Sequence, residues 1–129
     1  MGTGYRFTRH YTREEAKALL PQIRRWLEVL EQGRVELETS DRRVTGLRVS
    51  GEDLGGAVVN KAVRSLMEIR GVLQEFEERE IIIKDLERGL IDFPSLMAGK
   101  EVFLCWEKDE DDIEYWHDID TGYAGREPL

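Results

Sequence analysis

The hydrophobic period of this chain changes once, near residue 80, and that change limits it to one class of fold. Upstream, Val59, Ala62, Leu66, Ile69, Leu73 and Phe76 recur in alternating steps of three and four, which lines one stripe of a helix. Downstream, Ile81-Ile82-Ile83 opens a series of short β-branched and aromatic runs broken by turn residues, the signature of strands. Helices in one block and strands in the next predict an α+β fold, not alternating βαβ units.

The first helix carries its own start signal. Thr12-Arg13-Glu14-Glu15 reads as a capping box, with Thr12 at the N-cap and Glu15 reaching back. Ala16, Leu19, Leu20, Ile23, Trp26, Leu27 and Leu30 follow on one stripe. Pro21 falls inside that stripe, lacks a donor and crowds the Lys17 carbonyl, so a kink or short break is expected there. The expected arrangement is a long antiparallel helical hairpin of residues 12–38 and 58–80, joined by a glycine-rich mobile loop over 39–57. Val63 and Val72 widen the second stripe, which therefore needs more than one neighbour. Gly71 costs about 1 kcal/mol against Ala inside a helix; close helix approach at that point would explain it.

The hairpin is expected to pack on a small, mostly antiparallel sheet spanning 81–120, with 121–129 as a tail. Pro94 should stop the run Ile91 to Phe93. Glu101 to Glu107 and Ile113 to Ile119 flank an acidic loop and read as a β-hairpin. If it is symmetric, Phe103 and Cys105 share a face with Tyr115 and His117, while Val102, Leu104 and Trp106 share the other with Trp116. One face covers the helices. The second is expected to be an interface, since apolar area of that size seldom stays exposed.

A chain of 129 residues fills one domain with a single core. No apolar run approaches the roughly 20 residues of a membrane span, and the N-terminus lacks a secretory pattern. A lone cysteine cannot close an internal disulfide, so a cytoplasmic location is expected. The net charge of −8 is unevenly placed: residues 101–129 hold 10 acids against Lys108 and Arg126, and the rest is balanced. That acidic end repels phosphate backbones and suits a basic protein partner or a second copy of the chain.

Several strings stand out together: Tyr11 to Pro21 with Glu-Glu-Ala and Leu-Leu-Pro, Ile-Lys-Asp (Ile83 to Asp85), and Gly-Leu-Ile-Asp-Phe-Pro (Gly89 to Pro94). Leu-Cys-Trp (Leu104 to Trp106), Tyr-Trp-His-Asp (Tyr115 to Asp118) and Gly-Tyr-Ala-Gly-Arg (Gly122 to Arg126) complete the set. With these the chain resembles, over nearly its whole length, the prokaryotic family known as domain of unknown function 2203. It departs from that family in the turn after Leu-Cys-Trp, where Lys108 to Asp112 replaces a Gly-Glu step. The resemblance implies kinship and brings no activity with it.

Cys105 and His117 occupy diagonal positions on one hairpin face, an arrangement open to nucleophile–base chemistry or metal binding. A zinc site, however, asks for four ligands at familiar spacings, which are missing, and Asp118 points to the opposite face from His117. Cys105 is therefore read as a small buried hydrophobe. The acidic stretch Glu107 to Glu114 lacks the calcium-loop pattern and reads as a solubilising gatekeeper. Arg126 is expected to fork onto Asp92 or Asp118, and Lys84, Asp85 and Asp92 to form turns at strand ends.

These readings converge on a non-catalytic cytoplasmic binding or assembly module that forms a homodimer through the helical seam or the second aromatic face. Trp106, Tyr115, Trp116, His117, Tyr123 and Arg126 are the candidate binding residues; no catalytic residue, metal or cofactor is expected. The alternative is a single-stranded nucleic-acid binder that uses the basic first helix and loop (Arg24, Arg25, Arg42, Arg43, Arg48). An enzyme built on Cys105, His117 and Arg126 ranks third.

Overall fold

The computed structural model describes residues 4–50 and 56–129. Two helices packed together, α1 (Arg13–Ser50) and α2 (Gly56–Glu78), precede five strands. These are β1 (Ile82–Asp85), β2 (Leu90–Met97), β3 (Lys100–Glu107), β4 (Tyr115–Asp118) and β5 (Glu127–Pro128). The strands form one antiparallel sheet in the order β1-β2-β3-β4-β5. The fold is α+β, as the change of period predicts. The chain divides into two compact units, Arg25–Gln74 and the remainder.

In the unit Arg25–Gln74, α1 buries Leu27, Leu30, Gly33 and Ser40. The helix does not stop at residue 38; it continues to Ser50. Most of the glycines that suggest a loop over 39–57 lie at 51 or beyond, and Gly46 alone falls within α1. The polar residues after 38 also fit a helix, since the Thr39 hydroxyl donates to the Val35 carbonyl at 3.0 Å. Residues 51–55 of the expected loop, and the side chain of Arg48, lie outside the described residues.

Close helix approach occurs at Gly33, where an added Cβ would sit 2.7 Å from Ile69 Cγ1. At Gly71 it would meet no atom of the described residues within 4 Å. The inward stripe of α2 is Val58, Ala62, Ser65, Ile69 and Val72, so the expected seam is split. Ala62 and Ile69 turn inward, whereas Val59, Leu66 and Leu73 turn out, beside Val63 and Met67.

In the other unit, the capping box forms as expected. The Glu15 amide donates to Thr12 Oγ1 at 3.1 Å, and the Thr12 amide to Glu15 Oε1 at 3.0 Å. Ala16, Leu20 and Ile23 are buried, while Pro21 is exposed and α1 passes through it without a break. β2 likewise does not stop at Pro94 but runs on to Met97, with Pro94 opposite Phe103. β1 reaches only as far as Asp92. The missing Pro94 donor therefore falls on an edge that no strand of the described residues occupies, and its carbonyl accepts the Tyr11 amide at 2.7 Å.

The segment before α1 is fastened by two carboxylates. Glu101 accepts the amides of Arg6 (2.9 Å) and Phe7 (3.1 Å) and faces His10 Nε2 at 2.8 Å. Glu80, itself at φ 57°, accepts the Thr8 and Arg9 amides and the Thr8 hydroxyl. The last residues are not a free tail. Tyr115 pairs with Pro128 and Trp116 with Glu127, and the Leu129 amide donates to the Glu114 carbonyl at 2.8 Å. Among the described residues, no helix is long and apolar enough to cross a membrane.

Candidate functional site

The β3–β4 register is the symmetric one. Val102 faces Asp118, Phe103 faces His117, Leu104 faces Trp116 and Cys105 faces Tyr115. On the other side of β3, Cys105 faces Asp92 of β2. One sheet face thus collects Asp92, Phe103, Cys105, Tyr115 and His117. Asp92, Cys105 and His117 are each at most 2% exposed.

His117 Nδ1 lies 2.7 Å from the Asp118 carbonyl, and Nε2 lies 3.0 Å from both oxygens of Asp92. A carbonyl only accepts, so Nδ1 carries a proton and Nε2 is the nitrogen turned to Asp92. Asp118 does orient His117, through its backbone instead of its side chain. Burial holds the Asp92 carboxyl above its usual range, with His117 and Lys84 acting the other way. Burial, then the Asp92 charge, pushes the Cys105 thiol up to about 12. One oxygen, one sulfur and one nitrogen of these three side chains lie within 4.8 Å of one another.

This face is not the open interface expected of it. The Phe7 ring packs edge-on to Phe103 at 5.5 Å, and Lys84 Nζ stands 5.8 Å from the same ring. Next to it, the Arg126 guanidinium lies 3.8 Å from the Tyr115 ring and 4.6 Å from Tyr123, and Arg88 lies 4.3 Å from Tyr123. Arg126 does not fork onto Asp92 or Asp118; its partners are Glu110 at 2.6 Å and Glu107 at 3.8 Å. Lys100 Nζ is 2.7 Å from Asp118 instead.

The six candidate binding residues therefore do not form one site. Tyr115, His117, Tyr123 and Arg126 lie together, whereas Trp106 and half-buried Trp116 belong to the opposite face. Trp106 is fully buried, donates from Nε1 to the Glu110 carbonyl at 2.9 Å and carries Arg24 at 4.9 Å. It cannot stack a base, and Arg24 is further occupied by the carbonyls of Lys108 (2.6 Å) and Glu110 (3.0 Å).

Two acids of the acidic loop fasten it to the rest of the chain, while Asp109, Asp111 and Glu114 are exposed. Asp112 pairs with Lys17 (3.3 Å) and Arg13 (3.6 Å), and Glu110 accepts from Arg126 and from the Glu107 amide. An open cleft of about 480 Å³ beside Tyr5, Lys100 and Asp120 has its charges matched, Arg6 to Asp120 at 3.0 Å and Lys100 to Asp118.

Asp92 does not form the turn at a strand end expected of it. With Pro94 taken as a terminator, it falls at a strand end. With β2 continued to Met97, it falls in the sheet interior, opposite Cys105. The available signal was a carboxylate inside the apolar run Leu90 to Phe93, on the alternation that faces Cys105 and His117.

Fold and site together define an α+β protein with a five-stranded meander and a closed Asp–Cys–His cluster inside its sheet. The chain belongs to the family described as "Uncharacterized conserved protein (DUF2203)", whose model matches residues 9–129. No curated protein and no solved structure matches it.

Proposed function

We propose that this protein is a non-catalytic assembly module of the cytoplasm, which pairs with a second copy of itself through α2. The observation that carries the reading is the outward stripe Val59, Val63, Leu66 and Leu73, widened by Met67, with exposures from 43% to 68%. These positions follow steps of four, three and seven, and Arg70 divides the last into four and three. That is the 3.5-residue repeat of a helix seam that meets another helix.

Charge favours a copy of the same helix, laid antiparallel. The first half of α2 carries Lys61 and Arg64 and no acid, while the second carries Glu68, Glu75, Glu77 and Glu78 against Arg70. With Leu66 at the two-fold axis, Val59 meets Leu73 and Arg64 of one copy faces Glu68 of the other. A two-fold interface requires such self-complementarity. The closed state of Cys105, raised to about 12 by burial, supports a non-catalytic role. A single cysteine, buried and free, suits a reducing compartment.

Light scattering at micromolar concentration tests the pairing. The expected mass is twice the 15.0 kDa chain, falling to the chain mass in Leu66→Arg with an unchanged circular dichroism spectrum. A wild-type mass of one chain at several hundred micromolar would end the proposal. Salt-sensitive oligonucleotide binding would favour the nucleic-acid reading instead.

A further inference from the structure

The three side chains that meet inside the sheet are the oxygen, nitrogen and sulfur donors that zinc prefers, in a site already dressed for a metal. We propose that Asp92, Cys105 and His117 form a buried structural site for one divalent transition-metal ion of the borderline-soft class, zinc above all. The donor set points away from calcium and magnesium, which take oxygen alone, and toward Zn²⁺ or Co²⁺. Bond lengths of about 2.0–2.3 Å place tetrahedral ligand atoms roughly 3.5 Å apart. The three donors lie within 4.8 Å of one another, so closing them on one ion takes a shift on the order of 1 Å.

Two features prepare the site. His117 donates from Nδ1 to the Asp118 carbonyl at 2.7 Å, the outer-shell bond that fixes a ligating ring and leaves Nε2 for the metal. Moreover, the exchange leaves no uncompensated buried charge. Without metal, the cluster holds a thiol and one proton shared between the Asp92 carboxylate and His117 Nε2, and its net charge is zero. A divalent ion displaces two protons, that one and the thiol proton, into solvent. It leaves carboxylate, thiolate and neutral imidazole around a double positive charge, again zero. The large desolvation cost of an isolated buried ion is thereby avoided. Arg126, which bears on Cys105, favours the thiolate, and its buried Nε has no hydrogen-bond partner among the described residues. The chain supplies three ligands, and the fourth tetrahedral position is left to a water.

The test is expression of the full chain in zinc-depleted medium supplemented with cobalt, followed by metal analysis and absorption spectroscopy. One cobalt per chain is expected, with tetrahedral visible bands and a thiolate-to-cobalt charge-transfer band in the near ultraviolet. Cys105→Ser should lose the charge-transfer band and His117→Gln should lose the bound metal. His10→Ala, which changes the other histidine, should keep both. Wild-type protein that carries no cobalt, or carries it without the thiolate band, overturns the proposal whether or not any variant folds. So does an unchanged spectrum in a folded His117→Gln.

Discussion

His117 Nε2 stands 3.0 Å from both carboxylate oxygens of Asp92, with the two side chains 2% and 1% exposed. Removing one partner from such a pair strands the other without water, a loss of roughly 3–5 kcal/mol. Asp92→Ala and His117→Ala should each lose that much in urea unfolding with a chelator present. The double variant should lose less than the two together, because each single change already breaks the shared contact. Strict additivity would show that the two side chains do not act as a unit.

The segment before α1 should respond to acid before the sheet does. Hydrogen bonding from Thr8, then the Arg9 and Thr8 amides, holds Glu80 below its usual range. Burial alone raises Glu101, but the amides of Arg6 and Phe7 together with His10 outweigh it, so its pKa is also lowered. A carboxyl depressed in the folded state stabilises fully above its unfolded value of about 4.3 and loses that contribution as pH falls through the folded value. Asp92 is shifted upward and has the opposite sign, so acid does not loosen the sheet through it. The amide resonances of Arg6 to Arg9 should therefore move below pH 4.5 while those of Ile91 and Leu104 stay fixed. A single shared midpoint would contradict this.

Gly33 and Gly71 make a matched pair for the helix unit. An added Cβ at Gly33 comes within 2.7 Å of Ile69, whereas at Gly71 it meets no atom of the described residues within 4 Å. Gly71→Ala should stabilise by up to about 1 kcal/mol, the helix propensity difference. Gly33→Ala gains the same propensity but has to displace the Ile69 side chain, and overpacking typically costs about 1–3 kcal/mol. Thermal unfolding should shift in opposite directions for the two. Equal shifts would mean that α1 and α2 are not in close contact there.

What the sequence revealed and what it hid divide along local and non-local lines. The capping box of Thr12 and Glu15 and the Phe103–His117 register depend on neighbours a few residues apart or on strict alternation, and both were legible. The continuation of α1 past residue 38 was obscured by the glycines beyond Ser50, and by polar residues that a helix accommodates, as it does Thr39 with its hydroxyl on the Val35 carbonyl. Pro94 misled because its tolerance rests on β1 being short, a fact of the sheet and not of the strand. Asp92 was hidden for the same reason. Arg126 was assigned the wrong carboxylates because Glu107 and Glu110 approach it only once β5 has paired with β4.

Trp106 and Trp116 should part company. Trp106 is fully buried, with its indole donor on the Glu110 carbonyl, while Trp116 is half-buried. Trp106→Ala should cost roughly 3–5 kcal/mol, as for a large core aromatic. Trp116→Ala should cost clearly less, and neither change should alter the mass of folded protein in light scattering. Loss of dimer in Trp116→Ala without loss of stability would move the interface from α2 to the sheet.

Cys105 separates a closed cluster from a reactive one. With its thiol pushed up to about 12, roughly one molecule in 10⁵ carries a thiolate at pH 7, and the side chain is buried. Alkylation of native protein should thus be slow and should speed up greatly in denaturant. Because only opened molecules react, its rate should rise in the destabilised Asp92→Ala variant by about tenfold for each 1.4 kcal/mol of stability lost. The chelator arm adds a second reading. If the metal is bound, stripping it lowers stability and raises the native labelling rate; if no metal is bound, the rate is the same with and without chelator. Rapid labelling of native wild-type protein in both conditions, abolished by His117→Ala, would mean an accessible thiolate activated by the imidazole and would return the chain to the enzymes.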